Sequence, residues 1–392
     1  MIHIHPFPAR MAPEIALDRL RDLPRSYTVL DPMSGSGMVL GAAAKTGMPA
    51  IGFDIDPLAC LISKTNGVFV KQERVREACR ELLLRCDRTD AGSVELVWVD
   101  EDKETQRYID YWFADKQKRQ LRVLSYYLVV NPFCSNKRIL NALKVAVSRL
   151  IVTKESKASL ARDTAHSRPH RVKTENDFDV FSELERSLEH VLRALEPDRI
   201  SVNSVAYRGD ARRMRRIGDE SIDCIVTSPP YLNAIDYMRG HRLSLVWLGY
   251  TVGELRKIRN GSVGTEAAGR GADDPRFQVF LDRLSTRIDD RRRRHLARYY
   301  RDLCAITVEA FRVLKNGRTA TYVIGNSRIR GSEVDNSELL LASAERAGFK
   351  VQEVVAREIP ENKRYMPATN SADATLKNRM KTENVVVLRK GR

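Results

Sequence analysis

The stretch from residue 27 to residue 54 does most to constrain the fold. Tyr27-Thr28-Val29-Leu30 is a short apolar run ending at Asp31, and a serine–glycine turn follows, Ser34-Gly35-Ser36-Gly37. MVLGAAAK then has helix-forming composition and stops at Gly47, a residue suited to the left-handed cap of a helix. Ala50-Ile51-Gly52-Phe53 is a second apolar run, again ending in an acid, Asp54. Strand, glycine turn, helix and strand make a β-α-β unit, which requires parallel strands and a sheet covered by helices.

Around this unit the chain changes character twice. Ile15, Leu17, Leu20 and Leu23 predict a short amphipathic helix ahead of the first strand. From 71 to 200 the apolar residues take helical spacing, as in Ile139, Leu140, Leu143, Val147 and Leu150, and in Phe181, Leu184, Leu188, Val191 and Leu195. Lys154 to Asn176 reads as a loop. After 200 the α/β pattern returns: strands at Asn203–Tyr207, Ile222–Thr227, Thr319–Ile324, Phe349–Val355 and Val385–Leu388, with helices at Leu296–Leu314 and Glu338–Ala347. Residues 250–295 carry Gly, Asp and Arg with little periodicity and read as a basic loop region. The expectation is one α/β core of the Rossmann-like kind, contributed by residues 1–70 and 201–392 and split by a mostly helical insertion, 71–200.

Composition narrows the partners. The chain has 392 residues, 67 Lys+Arg against 51 Asp+Glu, and a net charge of +16. A polyanion is the leading partner, although basic proteins include nucleotide binders with no nucleic-acid partner. At 43% hydrophobic residues, wholesale disorder is excluded. No apolar run approaches the ~20 residues of a membrane span, and MIHIHPFPAR lacks an apolar signal core. Cys60, Cys79, Cys86, Cys134, Cys224 and Cys304 form no C-x-x-C pair, which fits neither a zinc site nor a disulfide framework and predicts a cytoplasmic location.

Two motifs carry chemistry. Asp31-Pro-Met-Ser-Gly-Ser-Gly37 permits close backbone approach, but a dinucleotide fingerprint would want a third glycine where Leu40 stands. Asp54 lies about 20 residues on, where an acid can accept ribose hydroxyls; a tight turn and a solvated strand-end acid remain the alternative. Thr227-Ser228-Pro229-Pro230-Tyr231 ends an apolar strand, where open α/β sheets bind ligands. Neither proline has an N–H, so this rigid loop presents carbonyls and side-chain oxygens. A fixed row of acceptors ending in an aromatic suits a planar group with an exocyclic amine.

At these residues the chain resembles the amino-methylating DNA methyltransferases, which use S-adenosylmethionine. His5-Pro-Phe-Pro-Ala-Arg10 looks like their N-terminal cofactor motif, with Phe7, Pro8 and Ala9 at its centre. DPMSGSG looks like their glycine-rich motif, implying cofactor contacts from Asp31, Pro32, Ser34, Gly35, Ser36 and Gly37; Met33 stands where Phe is usual and Met38 where Thr is common. Asp54 and Asp56 fall in the ribose-binding segment, Asp210 and Ala211 in the adenine-side motif, and Thr227 opens the catalytic motif. TSPPY is the form typical of cytosine-N4 enzymes, with Ser228, Pro229, Pro230 and Tyr231 as catalytic residues; adenine-N6 enzymes more often have D-P-P-Y. The resemblance implies a seven-stranded sheet with a reversed last strand and double-stranded DNA as partner. It leaves a cognate restriction or defence-system nuclease as an open second partner and places the enzyme at the nucleoid of a prokaryote. YIDYWF (108–113) and ASLARDTAHSRPHR (158–171) are similar to segments of uncharacterised prokaryotic relatives.

A target amine inside a duplex must be flipped out, so cationic side chains are expected around the pocket. Arg168, Arg212, Arg213, Arg292 and Arg293 are the candidate DNA contacts, taken from the clusters at 208–216, 291–294 and 162–173. Lys363, Arg364 and Tyr365 form a further candidate loop, and Asn326 and Arg328 candidate pocket-lining residues. His166 and His170 lack an evident third ligand, so no metal is expected. Carbon-5 methylation of cytosine would need a Pro-Cys nucleophile, and no cysteine follows a proline. Adenine-N6 methylation, an RNA substrate and a non-catalytic DNA-binding defence subunit stay open beside cytosine N4.

Overall fold

A computed structural model describes residues 3–6, 11–68, 70–151, 157–162, 169–195, 203–232, 236–264, 274–284, 288–329, 332–359 and 382–391. The strands are β1 (Val29–Asp31), β2 (Ala50–Asp54), β3 (Ala161–Arg162), β4 (His170–Arg171), β5 (Ser204–Arg208), β6 (Ile222–Thr227), β7 (Leu314–Gly325), β8 (Ser327–Ile329), β9 (Ser332–Val334), β10 (Phe349–Glu358) and β11 (Thr382–Lys390). The helices are α1 (Pro13–Leu20), α2 (Met38–Thr46), α3 (Pro57–Asn66), α4 (Gln72–Asp87), α5 (Val97–Asp100), α6 (Lys103–Trp112), α7 (Asp115–Ser125), α8 (Lys137–Arg149), α9 (Val180–Ala194), α10 (Tyr237–Leu245), α11 (Val252–Gly261), α12 (Pro275–Arg283), α13 (Asp290–Val313) and α14 (Asn336–Ala347).

Seven strands form one sheet in the order β10-β11-β7-β6-β1-β2-β5. The run from β7 to β5 is parallel, and β11 is antiparallel to both β7 and β10. This is a Rossmann-like α/β fold with its last strand reversed, as the resemblance implied. The central strands β1 and β6 are buried along their whole length. Covered on both faces, they read as continuous apolar runs without alternation. Ala16, Leu20, Leu40 and Ala43 of α1 and α2 pack on one face; Leu303, Ile306, Leu340 and Ala344 of α13 and α14 pack on the other.

Helices α4 to α9 form a layer whose apolar core continues into α3, α10 and α11: Leu82, Leu143 and Leu188 share one cluster with Leu58, Ile62, Leu243, Trp247 and Leu255. In α9 Leu184, Leu188, Val191 and Leu192 form one buried stripe, whereas α8 is buried around most of its circumference. Residues 250–295, expected as a loop region, instead hold α11, α12 and the start of α13. Thr251 and Glu254 close a capping box on α11, and Val252, Leu255 and Ile258 fall on its buried side. Asp274 caps α12, with Pro275 in its first turn. Neighbouring Gly and Arg diluted both signals. Lys154–Asn176, expected as a loop, contains the small antiparallel pair β3–β4 within its described residues.

Candidate active site

Chain order reverses between β1 and β6: β2 lies beyond one and β7 beyond the other. In open α/β sheets such a switch point opens a crevice at the carboxyl ends of the strands. The glycine turn leaves β1 and the Ser-Pro-Pro-Tyr loop leaves β6 at that end. The two are tied together by Thr227 Oγ1, which donates to Asp31 Oδ1 at 2.8 Å in the buried floor.

The glycine turn is braced from two sides. The Ser34 amide donates to the Phe53 carbonyl at 2.8 Å, and the Gly35 amide to Asp54 Oδ2 at 2.8 Å. From α3, Ser63 Oγ donates to the Gly35 carbonyl at 3.1 Å, and Asn66 Nδ2 donates to the Ser36 and Gly37 carbonyls at 3.2 and 2.9 Å. Gly37 has φ +72°, and a Cβ there would stand 2.8 Å from the Ser63 backbone. Only glycine combines that conformation with that close helix contact. Ser63 and Asn66 carry no local sequence signal, and the sequence reading missed them.

Asp31 and Asp54 are the electrostatic centre of the crevice. Asp31 accepts from Thr227 and the Met33 amide; Asp54 accepts from the Gly35 and Asp56 amides. No lysine or arginine pairs with either among the described residues. Burial pushes Asp31 up to about 7, with repulsion from Asp54 adding to it. Burial, then the negative charge of Asp56, pushes Asp54 up to about 7. Two carboxyls held without a counter-cation favour a ligand that brings positive charge. Among the described residues no group of three or more His, Cys, Asp or Glu could hold a metal.

Across the crevice, Pro229 is buried while Ser228, Pro230 and Tyr231 are half-buried. The Tyr231 hydroxyl meets the Ser228 side chain and the Gly325 backbone, and burial raises its pKa. Tyr299 of α13, fully buried, donates its hydroxyl to the Pro230 carbonyl at 3.0 Å. The loop is therefore clamped at both ends by phenols. Tyr299 lies 69 residues from Pro230 in sequence, so only the fold brings it there.

Several expected site residues do other work. Asp56 is engaged on both oxygens: one caps α3 at the Leu58 amide (2.8 Å) and the other meets His241 Nδ1 at 2.5 Å, both groups buried. Ala211 is buried in the apolar cluster that includes α13. Arg212, expected on DNA, is spent internally. Its guanidinium pairs with Asp210 at 2.6 Å and Asp302 at 2.7 Å and donates to the Gly261 carbonyl at 2.6 Å. Asp210, whose carboxyl Arg212 holds below the usual range, is thereby engaged too, although its turn abuts Asp54 through the Gly209 amide and Asp54 carbonyl at 3.0 Å. Arg292 pairs with Asp289 at the start of α13, and Arg293 bonds the Ile288 carbonyl at 3.4 Å, so both hold a helix terminus. Arg213 is exposed. Phe7, Pro8, Ala9, His166, Arg168, Lys363, Arg364 and Tyr365 lie outside the described residues.

The chain is similar to several known proteins. M.AvaI of Nostoc sp. (strain PCC 7120 / SAG 25.82 / UTEX 2576) is 28% identical over 153 residues, 34% of this chain and 32% of its own. M.MvaI of Kocuria varians is 22% identical over 94% of this chain and 85% of its own, and M.BsoBI of Geobacillus stearothermophilus 20% over 84% and 74%. All three are Type II methyltransferases. The match spans about a third of M.AvaI and most of the other two. No family model matches the chain.

Proposed function

We propose that the chain is an S-adenosylmethionine-dependent DNA methyltransferase acting on an exocyclic base amine, cytosine N4 by preference. The carrying observation is the juxtaposition at the switch point: a glycine turn with two uncompensated carboxyls, joined through Thr227 and Asp31 to a rigid acceptor loop. The Type II methyltransferase relatives support the reaction class, and the net charge of +16 supports a polyanionic substrate.

The residues present fit the cofactor. Asp54 offers a lone pair on each oxygen to ribose hydroxyls, and the two carboxyls favour its positive charge. When bound, S-adenosylmethionine supplies a methyl group made electrophilic by sulfonium. The chain supplies the rest. With the Ser228 O–H directed at Tyr231, both Ser228 lone pairs remain for an amine hydrogen, and the Pro229 carbonyl takes the other. Hydrogen bonds in that geometry draw the amine nitrogen toward tetrahedral shape and release its lone pair from the ring. Tyr231 offers its ring face to the flipped base, recovering ~1–3 kcal/mol of the unstacking cost.

Nucleoside mass spectrometry after incubation with methyl-labelled cofactor and mixed DNA and RNA tests this. Label in N4-methylcytosine of DNA is expected. Label in N6-methyladenine would move the base preference; label in RNA alone, or none, would overturn the reading.

A further inference from the structure

Cation–aromatic contacts link the helical layer to α10, the helix that follows the acceptor loop. Arg171 of β4 lies over the Tyr111 ring at 4.9 Å, Tyr111 meets Trp112 edge-on at 4.9 Å, Trp112 meets Tyr108 at 6.2 Å, and Arg242 of α10 lies over Tyr108 at 5.6 Å. The small sheet is fastened to α6 at this point: the Leu160 amide donates to the Trp112 carbonyl at 2.8 Å, and the Val172 amide to the Leu160 carbonyl at 3.0 Å.

Two features distinguish this row from ordinary packing. Tyr111 is 51% exposed, the one aromatic among the large exposed apolar side chains of the described residues. Moreover, neither terminal guanidinium pairs with a carboxylate among those residues; Arg171 bonds only the Lys173 carbonyl, at 3.3 Å. Some other arginines of the helical layer are neutralised, Arg76 by Glu189 and Arg122 by Asp100. Lys118 takes both acids nearest Tyr111, Asp110 and Asp115, each at 2.8 Å. The row thus keeps two positive charges on aromatic faces, with the exposed Lys173 beside one of them.

We propose that Arg171, Tyr111, Trp112, Tyr108 and Arg242 form a surface that binds duplex DNA beside the target base. This rests on the reading of the chain as a DNA methyltransferase. The exposed Arg171 takes a backbone phosphate with its planar donor set, and the half-buried Arg242, its Nε enclosed, offers a second phosphate its terminal nitrogens. Tyr111 packs against the sugar and base edge between. Charge complementarity selects nucleic acid over an apolar protein partner, and continuity with α10 sets the surface next to the loop that receives the base.

The test is fluorescence anisotropy with a mixed-sequence DNA duplex over a salt series, on the full chain. Arg171→Ala should flatten the slope of log K against log salt by about 0.9, one phosphate contact. Tyr111→Ala should weaken binding about tenfold with the slope unchanged. Both side chains are exposed, so melting temperature and S-adenosylmethionine affinity should stay at the wild-type values. Arg242→Lys, which keeps a charge but loses the planar fork, should weaken binding less than Arg242→Ala. Wild-type binding with unaltered slope and affinity in Arg171→Ala and Tyr111→Ala overturns the surface while leaving the methyltransferase reading intact. A change of oligomeric state with unaltered DNA affinity also overturns it. No duplex binding by the wild type overturns both.

Discussion

The crevice and the arginine-rich turn beside it use the same residue types in opposite ways. In the crevice, Asp31 and Asp54 have amides and a hydroxyl as partners but no lysine or arginine among the described residues, and both rise to about 7. In the turn at 208–216, Asp210 and Asp302 share the Arg212 guanidinium, and Arg212 holds Asp210 below its ordinary range. A carboxyl already matched by a cation inside the protein stabilises the fold and has little left for a ligand. Buried without one, a carboxyl costs stability, and a positively charged ligand offsets part of that cost. On the proposed function, the difference separates a ligand site from a structural brace.

Arg212→Ala breaks the comparison most severely. It leaves the buried Asp302 with the more distant Arg298, at 4.0 Å, as its cation among the described residues, so a loss of about 3 kcal/mol is expected in denaturant unfolding. The salt slope of DNA binding should not change; a flattened slope would return Arg212 to the phosphate contacts. Ser228→Ala should do the reverse: turnover falls about 10²–10³-fold while melting temperature and cofactor affinity, read by calorimetry, hold. Lost cofactor affinity would remove the division between the two sides of the crevice.

Tyr299→Phe probes the seam, because α13 carries both the Pro230 clamp and Asp302. Losing one hydrogen bond of about 1 kcal/mol should lower kcat roughly fivefold with the KM for cofactor unchanged. An equal loss in both parameters would make Tyr299 a general packing residue.

The remaining effect is on pH. Between the ordinary 3.8 and about 7, the folded protein holds protons on Asp31 and Asp54 that the unfolded chain releases. Their contribution to stability therefore declines as pH rises through that window and levels off above it. Cofactor affinity should move the other way, rising toward pH 7 as Asp54 ionises. Asp54→Asn should flatten that rise, and an unchanged profile would place the titration elsewhere.

The glycine turn and the Ser-Pro-Pro-Tyr loop are legible in the sequence because their chemistry is local. Glycine is fixed by a backbone conformation, proline by its ring, and a buried central strand by an unbroken apolar run. Helical periodicity likewise reveals α9, since it buries one stripe. Whether an individual charge serves a ligand or the fold is not local. Arg212 and Arg171 both sit in basic runs, and no spacing rule tells them apart. The first meets Asp302, 90 residues away, and the second meets the face of Tyr111. Asp56 shares the strand-end position of Asp54 within two residues, yet His241, 185 residues on, claims it. The sequence by itself determined where the backbone must turn and which strands lie at the centre. Only the tertiary structure decided which charges are matched, because a charge's energy depends on its neighbours in space and on its distance from water.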